Sequence, residues 1–578
     1  MPTTTTSSSP APRRVVVVGG VAGGMSAAAR ARRLDESASI VVLEQSEYVS
    51  FANCGLPYHL SGEIERRDSL LLHTPESLRA ALALDVRTGS RVTSIDRERR
   101  TVSVQTADGA YELEYDALLL APGAVAVRPP VDGLDLPAVH SLRTIPDLDG
   151  LLARVGSLPA GARAVVVGAG FIGLEAVEAL AVRGLQVELV ELADHVLPPL
   201  DAELAPLLAE ELGAHGVGLH LGVSATSVTP ATGQGTDEGS VVVTLSDGTR
   251  LPADVVVVNV GVRPASDLAR DAGLELGARG AIRVDADQRT SDPHVWAVGD
   301  AVEVVQAVTG DVGPVPLAGP ANRQGRRAAD SMLGRRTTQQ AAVLGTAIVR
   351  VFDLTAAVTG ASQASLERAG IPHEVVRIHP AHHAGYYPGA EQVHLVASFA
   401  PDGRLLGAQG VGRAGVDKRI DVLATALRAG MTADDLAELE LAYAPPFGSA
   451  KDPVNMLGFV AQNVLEGTMP QWHAADLDEV QATALVLDVR SRGEWARGHL
   501  DGALNIPHTE LRDRVDEVRT AAAGRPVAVH CASGVRSYIA TRVLLAAGLD
   551  ARNLSGGWLT LTAARPELLD PTPEPVDA

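Results

Sequence analysis

Short, uniformly apolar runs alternate with longer amphipathic stretches along most of this chain. Val15–Val18, Ile40–Leu43, Leu118–Leu120, Ala164–Val167, Val187–Val190, Val255–Val262 and Val295–Val298 are rich in β-branched residues, and most are bounded by glycine, proline or an acid. Runs of this length with no polar alternation read as buried strands of a parallel sheet. Helices are expected over Met25–Arg33 and from Leu174 onward. After about residue 335 the pattern changes. Residues 343–465 mix strands at Ala347–Val351 and Val393–Phe399 with helices at Lys418–Ala429 and Ala433–Leu439. A further α/β segment opens at Leu485–Arg490 and reaches Val527–His530. Its length, about 100 residues, suits a small independent domain.

Two of the strand-to-helix turns are rich in glycine. Val15–Val18 leads into Gly19-Gly20-Val21-Ala22-Gly23-Gly24, and the next strand ends at Glu44. Ala164–Val167 leads into Gly168-Ala169-Gly170-Phe171-Ile172-Gly173, and the next strand ends at Glu191, 23 residues after the first glycine. Strand, glycine turn, helix, strand, acid is the dinucleotide-binding order. The glycines let the backbone approach a pyrophosphate, the helix N-terminus offers N–H groups to it, and the acid accepts from a ribose hydroxyl. The first loop departs from the pattern by carrying Val21 at the middle glycine. Glu191 would repel a 2′-phosphate, so NADH is expected to serve at least as well as NADPH. Asp300, after Gly299, is placed either to cap a helix or to hold a polyol hydroxyl.

Composition narrows the field. The formal charge is −21, which argues against nucleic acid or an anionic membrane as the main partner. No apolar run approaches the length of a membrane span. The N-terminal MPTTTTSSSPAP reads as a disordered tail without secretory features, and a reducing cytoplasm is the expected location. His379, His382 and His383 lack partners at metal-ligand spacing and read as a solvated loop, so no metal site is expected.

Only two cysteines occur, each inside a reaction-type motif. Cys54 lies in Ser50-Phe51-Ala52-Asn53-Cys54-Gly55-Leu56-Pro57-Tyr58. Position 59, where a C-x4-C pair would have its second thiol, is histidine, so Cys54 must cycle alone. Its accessible states are a mixed disulfide, a persulfide and a sulfenic acid. Cys531 opens Cys531-Ala532-Ser533-Gly534-Val535-Arg536, whose small residues let backbone N–H groups surround an anion, with Arg536 closing the loop. Four residues between cysteine and arginine leave less room than a phosphatase loop and favour sulfur transfer. Asp488 and Arg490 read as braces of this domain; His530 either tunes the thiol or packs at the strand end.

On these motifs, residues 13–465 resemble the flavin-dependent pyridine nucleotide–disulfide oxidoreductases, in the branch of coenzyme A-disulfide reductases, NADH oxidases and NADH peroxidases. SFANCGLPY, both glycine loops, LLLAPGA and WAVGDA occur in the order of that family. Residues 474–578 resemble a rhodanese domain through LDVR, E-W-x-x-G-H-L-x-G-A-x-N-I-P and C-x-x-G-x-R-S. The resemblance implies an α/β chain with two doubly wound, glutathione-reductase-like dinucleotide domains, an α+β dimerisation domain and a C-terminal α/β rhodanese domain. The boundaries would be a tail at 1–12, an FAD domain at 13–125 and 255–335, an NAD(P)H domain at 126–254, a dimerisation domain at 336–465 and the rhodanese at 474–578.

The resemblance also implies FAD, NADH or NADPH, and coenzyme A as ligand or substrate. The cofactors would contact Gly19, Gly20, Ala22, Gly23, Gly24, Glu44, Asn53, Ala121, Pro122, Gly123, Gly168, Gly170, Gly173, Glu191, Gly261, Gly299 and Asp300. Coenzyme A would meet Arg30, Arg33, Ser50, Asn53 and Lys451. In a homodimer, Tyr443 and either Tyr386 or Tyr387 of one subunit would reach Cys54 of the other, one of them protonating the leaving thiolate. The implied function is reduction of coenzyme A disulfide, coenzyme A persulfide or polysulfide, with the rhodanese handling sulfane sulfur and small thiols, disulfides or persulfides as partners. An NADH oxidase or peroxidase using a Cys54 sulfenic acid is the alternative; a sulfane-sulfur carrier or redox sensor is another.

Overall fold

The computed structural model describes residues 12–231, 239–337 and 340–569, so residues 1–11 of the expected tail lie outside the described residues. The chain divides into two compact units. One comprises Met1–Gly168, Ala176–Glu188 and Ser224–Gly345; the other comprises Ala169–Glu175, Leu189–Val223 and Thr346–Ala578.

Along the first unit run β1 (Arg14–Val18), α1 (Ala22–Leu34), β2 (Ser39–Leu43), β3 (Asp85–Arg87), β4 (Ala117–Leu120), β5 (Val139–His140), β6 (Arg163–Val167), β7 (Val255–Val258), β8 (Val295–Ala297) and α2 (Ala318–Met332). The apolar runs pair as parallel strands in the order β8-β4-β1-β2-β3, and β6, β7 and β5 form a second parallel set. Alternate residues of β1 face opposite sides: Val15 and Val17 pack with Ala27, Ala28 and Ala31 of α1 and Ala328, Ala329 and Met332 of α2, while Val16 joins Leu118 and Val295. Alanine on the inner stripe of α1 lets this helix lie close to its neighbours. The Trp296 indole, buried in the first cluster, donates to Ser331 Oγ at 2.9 Å.

In the second unit an antiparallel sheet is built from β9 (Ala347–Val351), β10 (Leu354–Gly360), β11 (Glu374–Ile378), β12 (Val393–Phe399) and β13 (Leu405–Gly412), in the order β9-β10-β13-β12-β11. Helices α3 (Val416–Ala429) and α4 (Pro453–Leu465) share a core with it. Asp452 caps α4 and holds the fully buried Arg419 at 2.8 Å. A parallel sheet follows, with β14 (Gln471–Trp472), β15 (Leu485–Asp488), β16 (Leu504–Asn505), β17 (Val527–His530) and β18 (Ala551–Leu554) in the order β14-β18-β17-β15-β16. Helices α5 (Val535–Ala546) and α6 (Gly557–Ala564) flank it. Among the described residues, no helix is long and apolar enough to cross a membrane.

Several expected boundaries move. Helix α1 begins at Ala22 instead of Met25, and the second glycine-loop helix spans Phe171–Val182 instead of starting at Leu174. Glycine's low helix propensity hides such starts. The run Val255–Val262 is two strands: β7 stops at Val258, and Val262–Pro264 pairs instead with Ala124–Ala126. The expected helix Ala433–Leu439 ends at Ala437. The histidine segment is no solvated loop. His383 is buried, and His379 bonds His394 Nδ1 and Thr560 Oγ1, both at 2.8 Å. Burial draws the His379 ring down to about 3 and the His394 ring to about 4.

Candidate active sites

The two glycine loops place their acids in the same way. Glu44 accepts the Gly20 N–H at 2.8 Å and the Ser46 N–H at 2.9 Å. Glu191 accepts the Ala169 N–H at 2.6 Å and the Ala193 N–H at 2.9 Å. Each carboxylate therefore ties its own loop to the end of its strand. Gly19 has φ +103°, and a Cβ there would lie 2.1 Å from Ala121 O; one at Gly24 would lie 1.9 Å from Gly19 O. Helix α1 has Val21 at its N-cap, with no side chain capping it, so its first N–H groups suit an anion. At Gly170 a Cβ would meet no atom within 4 Å, so packing does not demand glycine there, whereas a pyrophosphate crossing the loop would. The residues present thus fit two dinucleotides. Ala22, Gly23, Pro122, Gly123, Gly173, Gly261 and Gly299 all lie in the turns and helix starts that border these loops or in the later strand-end turns. Asp300 sits in the turn after β8, its carboxyl raised by burial, with an Arg143 guanidinium nitrogen 3.5 Å away.

Ser50 connects the first loop to the first cysteine. It holds a left-handed backbone, φ 52°, fixed by Ser50 N–H to Gly20 O at 2.7 Å and Leu72 N–H to Ser50 O at 3.2 Å. A non-glycine residue held there is strained, and such strain collects at functional sites. Asn53-Cys54-Gly55 then forms a single 3₁₀ turn, which presents Cys54 exposed. Of the three α1 arginines, Arg32 is buried against the carbonyls of Leu82, Ala83 and Glu36. Arg30 is bound to Asp330 at 2.8 Å, and Arg33 is exposed. The expected phosphate cluster is therefore one exposed arginine and one already paired.

In the second unit the tyrosine-bearing segments meet. Tyr386 and Tyr443, both exposed, bring their hydroxyls to 3.3 Å, and this bond raises the Tyr386 phenol. Tyr387 instead stands nearly perpendicular to the His383 ring, 5.5 Å between centroids. Lys451 is exposed just before the cap of α4.

The Cys531 loop joins β17 to α5. Cys531 is fully buried and not in a disulfide. The loop is clamped by the start of α6: Trp558 N–H donates to Cys531 O at 2.7 Å, and Leu559 N–H donates to Ala532 O at 3.0 Å. Gly557 permits this approach, since a Cβ there would lie 2.7 Å from Gly534 N. Asp488 and Arg490 are the expected brace, paired at 2.7 Å, and Arg490 lies over the Trp558 ring at 4.3 Å. His530 is fully buried against Trp558, which draws its ring down to about 4.

Sequence reasoning missed two neighbours of this loop. Ser537 Oγ lies 3.2 Å from Cys531 Sγ and 3.1 Å from Gly534 O. Arg536 donates to both oxygens of Glu494, at 2.8 and 2.7 Å. Both residues stand inside the motifs quoted above, but nothing in the spacing pairs Glu494 with an arginine 42 positions away.

With these sites in place, known proteins give the context. Residues 13–325 match the pyridine nucleotide-disulphide oxidoreductases, 346–453 the dimerisation domain of that family, and 469–564 the rhodanese-like domains. A coenzyme A disulfide reductase of Staphylococcus haemolyticus is 34% identical over 75% of this chain and 96% of its own. An NADH oxidase of Methanocaldococcus jannaschii is 33% identical over 74% and 93%. The reduced CoADR-RHD of Bacillus anthracis has a TM-score of 0.92 at 42% identity, covering 96% of this chain and 99% of its own. An NAD-dependent persulfide reductase from A. fulgidus has a TM-score of 0.88 at 38% identity, covering 95% and 99%. The chain belongs to the pyridine nucleotide-disulphide oxidoreductase family and carries that family's dimerisation domain followed by a rhodanese-like domain.

Proposed function

We propose that this protein is a cytoplasmic, FAD-containing NAD(P)H-dependent reductase of coenzyme A disulfide, coenzyme A persulfide or related polysulfide, with its rhodanese domain handling sulfane sulfur. The observation that carries this reading is Cys54: an exposed thiol on a short turn, with no second cysteine in its motif and tied through Ser50 to the first dinucleotide loop. The coenzyme A disulfide reductase, CoADR-RHD and persulfide reductase among its relatives support it.

The Cys54 thiolate attacks one sulfur of the substrate. A new S–S bond forms to Cys54, the old one breaks, and coenzyme A leaves as a thiolate with the electron pair. A tyrosine hydroxyl protonates it. When bound, the flavin supplies the two electrons, drawn from NAD(P)H, that cleave the resulting Cys54–sulfur bond. Gly19, Gly24, Glu44 and Asp300 would hold FAD; Gly168, Gly170, Gly173 and Glu191 would hold the nicotinamide nucleotide. Tyr443 with Tyr386 would come from the second subunit of a homodimer, since both are exposed within one chain and hydrogen-bonded to each other. Arg33 and Lys451 would take the coenzyme A phosphates, with Arg30 joining them once released from Asp330. FAD and NAD(P)H domains at 13–125 with 255–335 and at 126–254, a dimerisation domain at 336–465 and a rhodanese at 474–578 complete the proposal.

Mass analysis of protein denatured without reductant should find a coenzyme A adduct on Cys54. Cys54→Ser should keep FAD and lose disulfide and persulfide reduction to below about a thousandth. Substantial disulfide reduction by that variant would overturn the reading. Turnover of peroxide with NADH, without added thiol, would favour the oxidase or peroxidase instead.

A further inference from the structure

Both guanidiniums that the contacts above bring to the Cys531 loop, those of Arg490 and Arg536, are already matched to a carboxylate. Arg490 is paired with Asp488 at 2.7 Å, in full burial. Arg536, the arginine of the loop itself, spends both terminal nitrogens on Glu494. It lies in the first turn of α5, five positions after Cys531. Glu494 is fixed in turn. It accepts from Ser491 N–H at 3.0 Å and Ser491 Oγ–H at 2.7 Å, closing a capping box. The Arg536 guanidinium first, and these Ser491 bonds with it, hold its carboxyl well below the usual range, so it stays charged.

The loop therefore attracts anions only through its backbone N–H groups and the start of α5, a helix of 12 residues. That suffices for a persulfide monoanion on Cys531. It leaves the loop's own Arg536 with both terminal nitrogens taken, so they are not open to a sulfonate held next to the attacked sulfur, and it sets the Glu494 carboxylate beside that guanidinium. Apolar side chains are also exposed on the helix that follows Cys531. Val535 and Ile539, one helical turn apart on α5, are 58% and 40% exposed. Both features suit a donor whose sulfane sulfur is carried on an organic body.

We infer that Glu494, by occupying Arg536, sets the donor preference of Cys531 toward organic persulfides and against thiosulfate. Glu494 is a positioning residue that acts through Arg536. The inference rests on the reading of this loop as a sulfur-transfer site. In the favoured step the Cys531 thiolate attacks the outer sulfur of R–S–SH. The donor S–S bond breaks, R–S⁻ leaves with the electron pair, and the outer sulfur with its proton remains as Cys531–S–SH. With thiosulfate the same attack would expel sulfite, and the sulfonate charge held one bond from the attacked sulfur is what Glu494 opposes; in an organic persulfide the body next to that sulfur is uncharged.

The test compares thiosulfate with glutathione persulfide as donors to cyanide, using the full-length holoenzyme. Wild type should show a kcat/KM for the persulfide at least about a hundredfold above that for thiosulfate. Glu494→Gln keeps the shape but removes the charge; it should raise kcat/KM for thiosulfate about tenfold, mainly through KM, and change the persulfide value less than about threefold. Glu494→Asp, too short to span both nitrogens, should give a smaller gain in the same direction. Coenzyme A disulfide reduction at Cys54 should be unchanged in both variants, which reports that they are folded. A wild type that prefers thiosulfate overturns the inference, as does a Glu494→Gln enzyme whose thiosulfate kcat/KM is unchanged or lower. Absence of transfer from either donor in wild type would instead overturn the reading of the loop.

Discussion

Cys54 and Cys531 are the only thiols in the chain, and they are held in opposite ways. Cys54 stands exposed on a one-turn 3₁₀ segment whose place is fixed from outside, by Ser50 on Gly20 and by Ala52 N–H on Leu70 O at 2.8 Å. Cys531 is fully buried at a strand end, counted in the core of its domain, with its carbonyl gripped by α6. The first arrangement presents sulfur to something large. The second shields a sulfur anion with backbone dipoles until a thiolate reaches it. The difference predicts two separable activities, and substitutions can test how separable they are.

The largest effect should come from Cys531→Ser. Sulfur transfer to cyanide should fall to background, a loss of about a thousandfold or more, because the oxygen cannot carry a persulfide. Reduction of coenzyme A disulfide should persist within about twofold. If Cys531 supplies sulfur to Cys54, NADH consumption with polysulfide should slow as well. Side-by-side rates separate the cases: equal polysulfide rates make the rhodanese a passenger, and loss of disulfide reduction would mean that the two thiols work as one site.

Tyr443→Phe should fall between. Removing a general acid typically costs about a hundredfold. The loss should appear in kcat for coenzyme A disulfide and leave sulfur transfer at Cys531 untouched. The hydroxyl pair, 3.3 Å apart, selects Tyr386 over Tyr387 as its companion. Tyr386→Phe should therefore impair the reductase more than Tyr387→Phe does; the reverse order, read from steady-state rates, would reassign the pair.

What the sequence made legible was local. The glycine loops, the acids at the strand ends and both cysteine motifs are runs of neighbouring residues whose spacing alone implies a turn. Their surroundings were hidden because the partners are remote: Arg30 meets Asp330, 300 positions away, and His379 meets Thr560, 181 away. The resemblance set Arg30 and Arg33 of this helix on coenzyme A; Arg32 between them is buried, because backbone carbonyls at the end of a neighbouring helix satisfy its donors. Helix α1 began early because tertiary contact overrode glycine's poor propensity. Its glycines sit where a Cβ would strike Gly19 O or Val298, and bulkier helix formers could not.

The smallest effect should sharpen the contrast at Cys531 itself. Ser537 is fully buried and has one hydroxyl hydrogen, but two acceptors within reach, Gly534 O at 3.1 Å and Cys531 Sγ at 3.2 Å. When the sulfur is a neutral thiol, the carbonyl is the better acceptor. When it is an anion, the hydrogen is better spent on sulfur, because bonds to charged acceptors are about twice as strong. Rotation of one hydroxyl would then follow the charge on Cys531 without moving the backbone. Ser537→Ala removes it and leaves the backbone N–H groups in place. A hydrogen bond to a charged group is worth about 1.5–3 kcal/mol, and the remaining donors compensate in part, so sulfur transfer should drop about fivefold to twentyfold. The loss should be larger at acid pH, where an anion that has lost one hydrogen-bond donor is harder to form. A pH profile of the transfer rate checks this: the acidic limb should move to higher pH in Ser537→Ala. An unshifted limb with a uniformly lower rate would make Ser537 a packing residue only.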